Sequence, residues 1–183
     1  RSRGLGDVYK RQKQIRYYKG SCPISVKKEI NASVKDIWKT ISKEGNLNYV
    51  HPFCKNNYSI CWEGKSSIDV LEYLNGLKFT REFQTWNTEI GYSLLIGTKN
   101  GKRSYVEWEI VSKNNKNYLS ITIYPHYMSN YPKILSFIPY QIKVKPKLKK
   151  YLESVLGGIE YYLTNKKAVP KNYFGKHEWF SKK

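Results

Sequence analysis

Residues 24–42, ISVKKEINASVKDIWKTIS, decide the fold class. Ile24 to Ile30 has the length and β-branched content of a short strand. Ser33 stands three residues before Asp36, which is the spacing of a capping box, so a helix is predicted over residues 33–42. Its buried face is set by apolar residues at helical spacing, namely Val34, Ile37, Trp38 and Ile41. A second short helical turn is predicted at residues 46–50, before Pro52 stops it.

Beyond this opening, residues 66–124 change to a period of two, which is typical of strands. Asn75-Gly76 and Asn100-Gly101 lie between alternating runs and predict two tight hairpins. Every connection is too short for a crossover, so the strands form an antiparallel meander. The predicted strands are Ser67–Leu74, Leu77–Trp86, Gly91–Thr98, Lys102–Ser112 and Tyr118–Tyr124.

A long helix is predicted from Pro146 to about Thr164. One apolar stripe runs along it, made of Leu148, Tyr151, Leu152, Val155, Leu156, Ile159, Tyr162 and Leu163. Gly157 and Gly158 interrupt the stripe, and each costs about 1 kcal/mol relative to alanine in a helix interior. The pair indicates a close backbone approach, a kink or room for a ligand, and the sequence leaves these alternatives open.

Two segments resemble one known superfamily. Residues 26–38, VKKEINASVKDIW, resemble the opening strand, turn and helix of the START-like (SRPBCC) superfamily. Residues 151–162, YLESVLGGIEYY, resemble the closing helix of its bacterial members. The resemblance covers about residues 24–165 and implies an α+β helix-grip fold. In that fold a curved antiparallel sheet of six to seven strands wraps a long C-terminal helix, with two short helices after strand 1 and an internal cavity for a hydrophobic ligand.

The chain divides into three segments. Residues 7–12, DVYKRQ, back-translate to a sequence resembling the mosaic end of transposon adapters, so we interpret residues 1–12 as a translated artefact. The resemblance implies that residues 13–165 form a START-like domain. Residues 166–183 form a C-terminal extension, and its aromatic side chains predict that it packs on the domain; they are Tyr173, Phe174, Trp179 and Phe180.

The first hairpin places two charges on a face that is otherwise apolar. A two-residue turn at Asn75-Gly76 pairs Glu72 with Phe79 and puts Glu72 and Arg81 on the core side as diagonal neighbours. Charges in an apolar wall must pair, reach water or bind something. We interpret them as polar anchors in a ligand cavity; a structural ion pair is the competing interpretation. A slip of one residue in register would reverse the face.

The resulting ligand-binding set combines this face with cavity-lining positions of later strands and of the long helix. It comprises Glu72, Arg81, Phe79, Phe83, Trp108, Ile121, Leu156 and Gly157. No catalytic residue is assigned. His51, His126 and His177 are far apart and lack metal-ligand spacing, and the three cysteines lack CxxC spacing. We therefore expect no metal and no cofactor.

The net charge of +19 favours anionic partners, although lysines encoded by an AT-rich genome would give the same charge without selection for binding. Tyr131–Lys150 mixes apolar and lysine residues and predicts peripheral contact with an anionic membrane. The aromatic residues alternate into the core, which argues against nucleic acid as partner. With no secretory leader and no disulfide framework, we expect a cytoplasmic protein, monomeric or weakly dimeric.

These observations predict a non-enzymatic binder or carrier of a hydrophobic small molecule, such as a lipid, polyketide or isoprenoid. The alternative is an enzyme of cyclase or hydratase type that acts on such a ligand with Glu72, Arg81 and a tyrosine. A nucleic-acid binder is a third hypothesis.

Overall fold

The structure, a computed structural model, describes residues 22–126 and 140–182. Seven antiparallel strands form one sheet in the order β1-β7-β6-β5-β4-β3-β2. The strands are β1 (Ile24–Glu29), β2 (Cys54–Cys61), β3 (Ile68–Tyr73), β4 (Lys78–Asn87), β5 (Gly91–Gly97), β6 (Arg103–Lys113) and β7 (Lys116–Tyr124). The α-helices are α1 (Val34–Ile41), α2 (Leu47–Val50) and α3 (Lys145–Asn165), and α3 follows a π-helical turn, Tyr140–Val144. This arrangement confirms the predicted α+β helix-grip fold.

The opening segment folds as its sequence predicts. Ser33 caps α1: its hydroxyl oxygen accepts a hydrogen bond from the Asp36 amide at 3.0 Å and donates to the Asp36 carboxylate at 2.6 Å. The apolar face of α1 is buried, and Trp38 packs edge-on against Trp86 with ring centroids 5.4 Å apart. The cap fixes where α1 begins, and the packing fixes which face it buries.

The sequence did not predict strand β2. Two register shifts interrupt its pairing with β3, one between Cys54 and Asn56 and one between Ser59 and Cys61. Each irregularity breaks the alternation of inward and outward side chains, so the period of two that marks the other strands is lost here.

The register of the first hairpin differs by one residue from the prediction. The Tyr73 amide donates to the Leu77 carbonyl at 2.8 Å, so the loop has three residues, and Gly76 takes a left-handed φ of +88°. Three-residue loops commonly combine a type I turn with a left-handed residue in this way. Glu72 therefore pairs with Lys78, and the inward-facing charge on β3 is Asp69. The predicted inward orientation of Glu72 is wrong, while that of Arg81 agrees with the structure.

Asp69 and Arg81 form a buried ion pair across β3 and β4. The Arg81 Nε donates to Asp69 Oδ1 at 2.7 Å, a second guanidinium nitrogen donates to Oδ2, and the side chains are only 0% and 4% exposed. Asn57 on β2 also donates to Asp69 Oδ2, at 3.0 Å. Burial opposes the charged form of Arg81, but Asp69 outweighs this and holds its pKa above the ordinary value. The three strands are thus tied together by one charged group.

The two glycines of α3 allow close packing. A β-carbon on Gly158 would lie 2.1 Å from the Val50 carbonyl oxygen, whereas one on Gly157 would meet the ring of Phe174 at 2.7 Å. Of the alternatives that the sequence left open, close approach is the observed one. Gly157 therefore faces the C-terminal segment.

The residues after α3 pack on the domain. The Val169 amide donates to the Tyr49 carbonyl at 2.8 Å, and the Asn172 amide donates to the Pro52 carbonyl at 2.9 Å. Phe180 is buried and stacks on Tyr73 with ring centroids 4.2 Å apart. This segment thereby closes one side of the space between sheet and helix.

Some predictions fall on residues outside the described ranges. These include the artefact at residues 1–12 and most of the apolar part of the membrane-contact segment, residues 131–139. Of the described helices, none combines the length and the apolar character that a bilayer-spanning helix requires.

We expect Asp69→Ala to lower the free energy of unfolding by about 3–5 kcal/mol, because it leaves the Arg81 guanidinium buried without a partner. The double variant Asp69→Leu with Arg81→Met should lose less than Asp69→Ala alone. Glu72→Ala is the matched control on the same strand: it removes ion pairs with the exposed lysines Lys55 and Lys78 and should cost much less than Asp69→Ala. Urea denaturation measures all three, and equal losses for Asp69→Ala and Glu72→Ala would contradict the assignment.

We expect Gly158→Ala to destabilise the protein by about 1–3 kcal/mol, because a rigid backbone carbonyl occupies the place of the new methyl group. Gly157→Ala meets only the ring of Phe174, which is 38% exposed and can move. Its gain of about 1 kcal/mol in helix propensity should offset that contact. Thermal unfolding of the two variants compares them, and a stabilised Gly158→Ala would refute the close approach.

Candidate functional site

A cavity of about 530 Å³ lies between the concave face of the sheet and the first half of α3. Its wall is mostly apolar and comes from every layer of the fold. The sheet contributes Leu71, Phe79, Leu94, Ile96, Val106, Trp108, Ile121 and Ile123; α3 contributes Leu148, Leu152 and Val155; and the C-terminal segment contributes Trp179 and Phe180. Since strands alternate their side chains, one face of β4 to β7 supplies nearly all of the sheet's share.

One corner of the cavity is polar. We call His51, Tyr73, Arg81 and Tyr151 the polar corner, and all four residues line the cavity. The Tyr151 hydroxyl lies 2.9 Å from His51 Nε2 and 3.0 Å from the Tyr73 hydroxyl. Tyr151 therefore links α3 both to the loop after α2 and to the end of β3.

His51 is held neutral. The amide of Phe53 donates to its Nδ1 at 3.2 Å, so that nitrogen must keep its lone pair and the proton of the ring sits on Nε2. Burial, together with the charges of Arg81 and Lys171, lowers the pKa of His51 from 6.5 to about 3. A neutral ring with one N–H at Nε2 is thus the form present near neutral pH.

The tyrosines of the polar corner stay protonated. Burial raises the pKa of Tyr73 and that of Tyr151 well above the ordinary phenol value. Asp69 balances the charge of Arg81. The polar corner therefore offers the neutral hydrogen-bonding groups of His51, Tyr73 and Tyr151 and carries no net charge.

A second polar group lies at the turn between β5 and β6. It consists of Thr98, Lys102, Ser104 and His126, and Lys102 is exposed there. Ser104 Oγ lies 3.1 Å from His126 Nδ1, and partial burial lowers the pKa of His126. Thr98 and Lys102 are exposed, so this polar group differs from the buried polar corner.

The predicted site residues divide into two groups. Phe79, Arg81, Trp108 and Ile121 line the cavity, whereas Glu72, Phe83, Leu156 and Gly157 do not. Glu72 lies on the opposite face, where a hydrogen bond from Lys55 and the charge of Lys78 hold its pKa below the ordinary value. Of the other three, Phe83 lies beneath the guanidinium of Arg81, Leu156 is fully buried in the core, and Gly157 faces Phe174.

Sequence reasoning missed three members of the polar corner. Tyr151 belongs to the predicted apolar stripe of the long helix, and nothing in its spacing distinguishes it from the other stripe residues. Tyr73 was assigned to the outer face by the wrong register. His51 was considered as a metal ligand, and its distance along the chain from the other histidines argued against that role. The available signal was the presence of the tyrosines Tyr73 and Tyr151 among apolar residues. A buried tyrosine hydroxyl needs a hydrogen-bond partner.

Within residues 22–126 and 140–182 there is no cluster of three or more histidine, cysteine, aspartate or glutamate side chains that could hold a metal ion.

Comparison with known proteins gives likeness of structure only. No protein-family model matches the chain, and no curated protein matches its sequence. A START superfamily protein from Mycobacterium smegmatis is 12% identical with a TM-score of 0.57, covering 78% of this chain and 97% of that one. The protein Ara h 8.0201 is 11% identical with a TM-score of 0.56, covering 80% of this chain and 99% of that one.

DynU16, a protein of the dynemicin biosynthetic locus, is 13% identical with a TM-score of 0.61 over 80% of this chain. This chain spans about half of that one, since 48% of DynU16 is covered. At such low sequence identities these similarities show a shared fold, and they do not show a shared activity. The chain therefore has the START-like, helix-grip fold.

Proposed function

We propose that the protein binds a hydrophobic small molecule, such as a lipid, polyketide or isoprenoid, in the cavity between the sheet and α3, as a carrier or binding protein. The observation that carries the proposal is the cavity itself, about 530 Å³ with a mostly apolar wall. Ligand cavities in proteins fall in the range of about 300–1,000 Å³ and combine apolar walls with a few polar groups. Binding there removes the apolar surface of the ligand from water.

The proposed ligand-contact residues come from the sheet and from α3. Phe79, Trp108 and Ile121 supply apolar surface, and Arg81 lies with the polar corner at one end. The other end, near Lys102, is the proposed entrance because that side chain is exposed. The ligand thus has a buried end and an end near solvent.

The cyclase or hydratase alternative needs a carboxylate that can exchange protons with the ligand. Among the described residues that line the cavity there is neither aspartate nor glutamate. Glu72 lies outside, and both oxygens of Asp69 accept hydrogen bonds from Arg81. No observation therefore favours the enzyme over the carrier.

The positive surface charge of the protein is relevant to its possible partners. Two lysines at the start of α3 have acidic neighbours, Lys147 with Glu178 and Lys149 with Glu153. Contact of the Tyr131–Lys150 segment with an anionic membrane, the absence of a nucleic-acid partner, a monomeric or weakly dimeric state and a cytoplasmic location all stay predictions.

We expect the neutral fluorophore N-phenyl-1-naphthylamine to bind the full chain at one site, with a large rise in emission. Val106→Trp fills part of the cavity and should weaken this binding at least about tenfold, through lost contact area and steric conflict. Val111→Trp is the matched control on the same strand, because Val111 points to the opposite face. Equal affinity of both variants, each checked for a normal unfolding transition, would refute binding in the cavity.

We also expect native mass spectrometry of the purified full chain to show an adduct that is released on denaturation. Its mass would name the ligand class. The adduct should be depleted in Val106→Trp and retained in Val111→Trp. An adduct that is unchanged in Val106→Trp would place the bound molecule elsewhere.

A further inference from the structure

The hydrogen-bonded chain of His51, Tyr151 and Tyr73 contains one polar hydrogen more than it has hydrogen bonds. His51 Nδ1 accepts from the Phe53 amide, so Nε2 carries the proton and donates to the Tyr151 oxygen. The one remaining contact joins the hydroxyls of Tyr151 and Tyr73 at 3.0 Å, and either can donate in it.

The count follows from these two contacts. The Nε2–H and the two phenol O–H groups make three hydrogens, and the chain has two hydrogen bonds. Whichever tyrosine donates in the contact between them, the other keeps an O–H with no acceptor among the described residues. A histidine with the opposite tautomer would accept from Tyr151 and leave no spare phenol hydrogen. The Phe53 amide is therefore the group that creates the spare donor.

The spare hydrogen can be used only in the cavity. Tyr73 and Tyr151 are 1% and 9% exposed, and both line the cavity wall. A buried donor without an acceptor carries a free-energy penalty that a suitable ligand atom removes. Because Asp69 neutralises Arg81, the phenol hydrogen offers recognition without a net charge.

We propose that the ligand carries a hydrogen-bond-accepting oxygen, of the carbonyl or ether type, which binds the spare phenol hydrogen of the Tyr73–Tyr151 pair at the buried end of the cavity. This inference rests on the proposed function, since it assumes that a ligand occupies the cavity. It narrows the ligand class from any hydrophobic molecule to one whose inserted end bears an acceptor oxygen. A pure hydrocarbon of the same shape gains no hydrogen bond there and should bind roughly tenfold or more weakly than the matching ketone.

The test uses two probes of nearly equal shape, 2-acetylnaphthalene and 2-ethylnaphthalene. Their affinities for the full chain are measured by displacement of N-phenyl-1-naphthylamine, in the wild type, Tyr73→Phe and the double variant Y73F/Y151F. The ratio of the two affinities is the readout, because differences in the solubility of the probes cancel between proteins. Tyr162→Phe is the control: Tyr162 lies on the same helix, packs against Tyr49 and is not part of the cavity wall.

We expect the preference for the ketone to fall at least tenfold in Y73F/Y151F and to stay unchanged in Tyr162→Phe. Tyr73→Phe should retain most of the preference, because the spare hydrogen then belongs to Tyr151. The affinity for 2-ethylnaphthalene should change little in any variant, which also reports that each is folded. The infrared carbonyl stretch of bound 2-acetylnaphthalene should lie at lower wavenumber in the wild type than in Y73F/Y151F.

Two failures are distinguishable. If 2-ethylnaphthalene binds all the proteins and the ketone preference is the same in Y73F/Y151F as in the wild type, the assignment of the donor is overturned and cavity binding stands. If neither naphthalene binds the wild type, the proposed function falls and this inference falls with it.

Discussion

The buried ion pair of Asp69 and Arg81 is the interaction on which the concave face of the sheet depends. A carboxylate and a guanidinium removed from water are tolerated only when they pair and their remaining hydrogen-bonding groups are satisfied. This pairing fixes β3 against β4, and the bond from Asn57 extends the constraint to β2. Because strand side chains alternate, the same register turns Leu71 and Tyr73 inward and Glu72 outward. The burial of Asp69 thus determines which side chains of β3 line the cavity.

Tyr151 has the corresponding role on the helix. Its ring packs in the core while its hydroxyl contacts His51 and Tyr73, so it joins α3 to the sheet and to the loop after α2. Close packing at Gly158 brings the helix against Val50, near the same loop. The C-terminal segment adds Phe180, which stacks on Tyr73. The polar corner is therefore assembled by four separate parts of the chain and cannot form before they have packed.

As a result of this assembly, the two ends of the cavity differ in chemistry. One end is closed by protonated tyrosines and a neutral histidine, and the other lies beside an exposed lysine. The low pKa of His51, about 3, keeps the corner uncharged near neutral pH. An apolar molecule with a single acceptor oxygen satisfies such a site better than a charged molecule, for which an uncompensated charge would have to be buried.

The sequence by itself determined the fold. The capped helix after β1, the alternating strands and the apolar stripe of α3 are local patterns, and each follows from the spacing of apolar side chains and from turn residues. It also placed Phe79, Arg81, Trp108 and Ile121 on the inner side. Tertiary structure alone decided the rest. Asn75-Gly76 fits a loop of two or three residues, and only the burial of Asp69 in place of Glu72 distinguishes them. In strand β2, two register shifts interrupt the alternation of inward and outward side chains. The polar corner joins residues 51, 73 and 151, whose contacts depend on long-range packing that no local spacing encodes.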